Sequence, residues 1–107
     1  MANFTATQSI TSTGLCANLV STDTSDYTSN NEGYTLADVQ YKTWTFRNST
    51  GTIIKQETVS GTTISSSCPI TLLTFGTQVE LYIYIYKSGS QQGYSVQNNL
   101  TISCLGI

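Results

Sequence analysis

The chain carries six carboxylates, three cysteines and no histidine. Without an imidazole there is no usual general base, no usual zinc ligand and no Ser-His or Cys-His pair to generate a nucleophile. Two carboxylates flanking a glycosidic bond would be the remaining hydrolytic option. The acids are scattered through loop-forming stretches, however, and only Glu80 falls inside a strong strand pattern. The sequence also lacks a Gly-rich phosphate loop. It is therefore expected not to be an enzyme and to have no catalytic residue, cofactor or metal.

Asp23, Asp26, Asn30, Asn31 and Glu32 gather oxygen atoms of the kind calcium takes in one stretch. Their spacing does not follow the EF-hand loop, so the stretch is expected to be a solvated turn. Cys16, Cys68 and Cys104 are odd in number and far apart, which fits buried reduced thiols better than a disulfide framework or a CxxC metal site. One bridge plus a spare thiol is the rival. Asn3, Asn48 and Asn99 each open an N-x-S/T triplet, but a chain with 19 Thr and 14 Ser produces such triplets by chance.

The residues best suited to recognition are aromatic. In "QVELYIYIYKSG", from Gln78 to Gly89, Val79, Leu81, Ile83 and Ile85 alternate with Glu80, Tyr82, Tyr84 and Tyr86. An extended strand puts the aliphatics on one face and the tyrosines on the other. If the aliphatics join Trp44 in a core, the tyrosines stand outside, beside Tyr41 on an adjoining strand and Tyr94 on the other side; if the tyrosines point inward instead, the aliphatics need the cover. Tyrosine offers broad contact area at low entropic cost and a hydroxyl for the rim, which suits a protein interface. The plainer reading is a set of cross-strand pairs that stabilise the sheet, each by about 0.2 to 1 kcal/mol. Leu105 and Ile107, in the apolar tail "CLGI", complete the candidate interface.

These side chains must be positioned by strands. Only 9% of the 107 residues are charged and 38% are hydrophobic, and the polar remainder is mostly hydroxyl and amide. Thr, Tyr, Val and Ile suit pleated, half-buried surfaces, and the Ala, Glu, Lys and Leu richness of a helical protein is missing. "FTATQSIT" and "LCANLVST" predict two strands around Gly14. "DTSDYTSNNEGYTLAD" predicts the longest loop. "DVQYKTWTFR" predicts a strand with Trp44 and Phe46 on one face and Val39 and Tyr41 on the other. "NSTG", from Asn48 to Gly51, turns it into a hairpin with "TIIKQETV". "TTISSSCPITLLTF" reads as one strand broken or left at an edge by Pro69. After "KSGSQQG", "YSVQNNLTISCLGI" closes the chain.

Strands joined through turns, with no convincing helix, describe an antiparallel sandwich, with a small barrel as second choice. The net charge of −2 leaves no basic patch, so neither nucleic acid nor a membrane surface is an expected partner. "MANFTATQS" lacks the basic start and apolar core of a signal peptide, so synthesis in a cytoplasm is expected.

The order of elements resembles an immunoglobulin-like domain of the fibronectin or PKD sort. Trp44 stands where strand C would be, and the turn at Asn48 to Gly51 leads to C′. "GTQVELYIYIY" is similar to an E–F corner followed by strand F, and "NNLTIS" to strand G. The resemblance implies an all-β, immunoglobulin-like antiparallel β-sandwich of about seven strands, with 1–107 as a single domain. Strand F offers no cysteine to Cys16 in the B region. The intersheet disulfide is therefore not carried over, and Trp44, Leu81, Ile83 and Ile85 are left to hold the core by packing.

Within this class, a signal-less, acidic, Thr- and Ser-rich domain resembles the small accessory proteins of tailed bacteriophage virions that decorate capsids or join heads to tails. That resemblance implies a non-enzymatic structural virion protein, an auxiliary or decoration capsid subunit made in the host cytoplasm. Its partners would be capsid or other virion proteins. The alternative is a carbohydrate-binding or adhesive module in which Tyr27 and Tyr34 stack on surface glycans.

Overall fold

The computed structural model describes residues 2–13, 17–73 and 76–100. Strands β1 (Gln8–Thr13), β2 (Asn18–Asp23) and β5 (Ser65–Pro69) form one sheet, in the order β1-β2-β5. Strands β3 (Val39–Arg47), β4 (Ile53–Ser60), β6 (Gln78–Lys87) and β7 (Ser90–Asn99) form the other, in the order β4-β3-β6-β7. All neighbouring pairs are antiparallel. The fold is thus an all-β sandwich of seven strands among the described residues, compatible with an immunoglobulin-like arrangement. Short 3-10 turns at Leu36–Asp38 and Ile70–Leu72 are its only helical segments there.

Period-two alternation builds the core. On β6, Val79, Leu81, Ile83 and Ile85 are fully buried, as are Trp44 and Phe46 on β3. Trp44 lies directly opposite Leu81, and Phe46 opposite Val79. Val39 is a correction to the sequence reading, which put it on the face of Tyr41. The pairing shifts between Val39 and Tyr41, and this irregularity turns Val39 inward opposite Ile85, where it is 5% exposed.

The core is not held by packing alone. Trp44 donates its indole N–H to Ser21 Oγ at 2.7 Å, and Ser21 donates in turn to Gln8 Oε1 at 2.6 Å. Gln8 Nε2 donates onward to the Val79 carbonyl and to Asn98 Oδ1, each at 2.9 Å. One relay therefore ties β3, β2, β1, β6 and β7 together, and it satisfies the only hydrogen-bonding atom of a fully buried indole.

Other boundaries moved. Phe4 precedes β1 and packs its ring on Tyr94 and Tyr27 at centroid distances of 4.8 and 5.4 Å. Pro69 ends β5, an edge strand, and the chain passes into a 3-10 turn that buries Ile70. "KSGSQQG" is not a loop. Ser88 and Gly89, with φ of 53° and 79°, make a two-residue turn, and β7 begins at Ser90. That pattern of two positive φ values matches the right-handed twist of a tight hairpin. β7 ends at Asn99, and the part of the expected closing run from 101 to 107 lies outside the described residues.

Candidate docking surface

With the aliphatics of β6 inside, Tyr82, Tyr84 and Tyr86 occupy the outer face of the four-stranded sheet. Tyr41 on β3 lies opposite Tyr84, and their rings stack at 4.9 Å with planes 17° apart. Tyr41 also meets Tyr82, at 6.2 Å and a tilt of 38°. The Tyr82 ring leans over Gly93 of β7, the residue paired with Tyr84, where an added Cβ would come within 2.9 Å of two ring carbons. Glycine is needed there because the ring occupies the space a side chain would fill. Tyr86 is 44% exposed and Tyr41 36%, while Tyr82 and Tyr84 are half-covered by their neighbours.

Tyr41, Tyr82 and Tyr84 form a contiguous aromatic cluster, and Tyr86 follows on the same face of β6. Desolvation pushes the Tyr82 hydroxyl above its ordinary titration range, with the nearby Tyr41 and Tyr84 hydroxyls adding to the shift. The same face turns polar away from the cluster: Thr43 and Thr58 share a hydroxyl hydrogen bond at 2.9 Å, and Gln56 donates to Thr45 at 3.0 Å. Arg47 and Glu80 pair at 3.1 Å, both partly exposed. An aromatic area bordered by hydroxyl and amide groups and one ion pair has the composition of a protein contact surface, in which aromatics are enriched at the core and polar groups form the rim.

Tyr94 does not belong to this patch. It lies opposite Ile83 and so points to the inner face, where it contacts Phe4 and, at 6.0 Å, Tyr34. Burial and the neighbouring Tyr34 raise its hydroxyl. The two-residue turn at Ser88 and Gly89 is the signal that fixes this parity. Leu105 and Ile107 lie outside the described residues, as do Cys16 and Cys104. Cys68 is a buried free thiol whose pKa burial raises, which keeps it in the unreactive protonated form.

The aromatics proposed for sugar stacking are occupied. Tyr27 and Tyr34 are half-buried against Phe4, and Tyr27 donates its hydroxyl to Asp23 Oδ2 at 2.5 Å. Most of the oxygens that suggested calcium already have partners within the domain. Asp26 accepts from the Thr28 and Ser29 amides, and Asn30 bridges the Asp26 and Tyr34 carbonyls. Glu32 accepts from the Phe4 amide at 2.7 Å. Among the described residues no group of three or more His, Cys, Asp or Glu side chains could hold a metal ion.

Sequence reasoning missed Lys42. It follows the inward period of Trp44 and Phe46, and its side chain is 0% exposed. Its ammonium lies 2.8 Å from Asp23 Oδ2, donates to the Thr63 carbonyl at 2.7 Å and faces the Tyr27 ring at 5.6 Å. Burial alone would raise the Asp23 carboxyl. The hydrogen bonds from Lys42, Ser25 and Tyr27 outweigh that and hold it below the usual carboxylate value. The arrangement is a closed ion pair with its hydrogen bonds satisfied, and it pins the long loop after β2 to the sandwich. Asp23 thus ends β2, and Glu57 lies in β4, so Glu80 is not the only strand carboxylate.

Comparison of the sequence with models of protein families and with curated proteins finds no match to either.

Proposed function

We propose that the chain is a non-enzymatic structural protein of a virion, an auxiliary or decoration subunit that docks on a capsid or head–tail protein through its outer tyrosine face. The observation that carries the reading is the set of Tyr41, Tyr82, Tyr84 and Tyr86, only partly covered on a sheet whose other face already fills the core. Its size, its acidic and hydroxyl-rich composition and its sandwich architecture support the virion context, as the resemblance to phage accessory proteins implies. Its place would be the particle surface or the head–tail junction.

The carbohydrate-binding alternative loses Tyr27 and Tyr34, whose rings and hydroxyls are engaged within the domain. Mass spectrometry of purified particles of the phage that encodes the chain tests the virion reading. The chain should be present in a fixed ratio to the major capsid or tail proteins, and its absence from washed particles would end the proposal.

A further inference from the structure

Beyond docking by its tyrosine face, we propose that the chain pairs with a second copy of itself along the edge of β7 that no described strand pairs, forming one continuous sheet of eight strands. Proteins guard sheet edges with charge, proline, bulges or brevity, because unpaired N–H and C=O groups template further strand addition. The edge strands here differ in this respect. β4 carries Lys55 and Glu57, β5 has five residues and ends in Pro69, and β1 has six. β7 has ten residues, SQQGYSVQNN, without a charge or a proline. Its ten pairs with β6 run without a register shift, so no bulge twists the edge away.

The register decides which backbone groups are free. The Leu100 amide donates to the Thr77 carbonyl, one step beyond the β6–β7 register, so even-numbered residues of this segment bond toward β6. Gln91, Gly93, Ser95, Gln97 and Asn99 consequently aim their N–H and C=O groups outward. A two-fold axis perpendicular to the sheet at Ser95 sets Ser95 against Ser95, Gly93 against Gln97 and Gln91 against Asn99. Every outward residue then faces another outward residue, and the strand is its own complement, as a closed symmetric dimer requires. β7 brings no charge of its own to the seam; the charged group beside it is the Glu32 carboxylate, which acts on the Tyr94 hydroxyl. β1, also uncharged, lies above this edge through Gln8, which bonds Val79 and Asn98, and presents no charge to a second copy.

The same axis keeps both outer faces on one side, with the two β6 strands about 14 Å apart. Two tyrosine patches then lie side by side on one surface, and a dimer would present them together to a partner.

Sedimentation equilibrium of the purified chain tests the pairing. The wild type should show a reversible dimer. Ser95→Lys, which sets two like charges opposite each other at the axis, should weaken it at least about tenfold. Ser95→Pro removes an outward N–H that makes no bond to β6 and should do the same, while Thr58→Lys on the β4 edge should leave the dimer unchanged. Circular dichroism and thermal melts check that each variant keeps its fold. Purely monomeric wild type would overturn the proposal. So would a dimer that survives both Ser95 variants while they remain folded, or one abolished only by Tyr84→Ser. Slow amide exchange at Gly93, Ser95 and Gln97 in the monomer, showing the edge covered by the chain itself, would overturn it as well. Because dimerisation is read without any partner, failure here leaves virion docking separately testable.

Discussion

The ring of Tyr41 lies on that of Tyr84 at 4.9 Å, nearly parallel, with both side chains on the outer face of the sheet. Such a pair contributes only about 0.5 to 1.5 kcal/mol beyond the area it buries. Tyr84→Ser and Tyr41→Ser should each cost about 1 kcal/mol in chemical denaturation. Leu81→Ala, on the opposite face of the same strand, should cost about 2 to 5 kcal/mol by removing a fully buried side chain. Equal losses at the two faces would show that the tyrosines serve the fold.

Asp23 and Lys42 form a buried ion pair at 2.8 Å. Removing one partner leaves the other charge buried and uncompensated, which costs about 3 to 5 kcal/mol. Asp23→Ala and Lys42→Ala should each fall in that range in urea denaturation. The double change Asp23→Leu with Lys42→Met should be closer to wild type than either single alanine variant, since the charges are replaced by apolar groups of similar size.

The same pair sets an acid limit on stability. The folded Asp23 carboxyl titrates below its ordinary value of 3.8, so the unfolded state takes up a proton first as pH falls. The pair's contribution is full above that ordinary value and is lost as pH drops through the lower folded value. Stability measured against pH should fall steeply below about pH 4. Asp23→Asn should be less stable at neutral pH and show a shallower acid limb.

Ser21 carries the relay between Trp44 and Gln8. Ser21→Ala strands an indole N–H and an amide oxygen in the interior and should cost about 1 to 3 kcal/mol. Trp44 fluorescence should report a changed environment in the folded state. A neutral effect on stability would mean that the relay is dispensable.

Much of the fold was legible because the informative residues obey a strict period. Val79 to Tyr86 alternates without exception, so both its faces could be assigned, and "NSTG" marked the hairpin between β3 and β4. The errors arose where a backbone irregularity or long-range pairing decides. Val39 was reversed by a shift in pairing that no residue type announces. Lys42 sits at an inward position of β3, and nothing local in the sequence names its partner Asp23, which comes from the other sheet. Gln8 and Ser21 look like surface residues in a Ser- and Thr-rich chain, yet they bridge the core. Tyr94 was placed on the wrong face because Ser and Gln give β7 no readable parity, although the Ser88–Gly89 turn fixes its register against β6.

If the chain is the virion subunit proposed above, docking through the tyrosine face is measured most directly by binding the purified chain to particles stripped of it. The wild type should bind saturably. The double variant Tyr41→Ser with Tyr84→Ser, confirmed to be folded, should bind at least about tenfold more weakly, as expected when central aromatic anchors are removed. Undiminished binding by the folded double variant would contradict the assignment of this face as the docking surface.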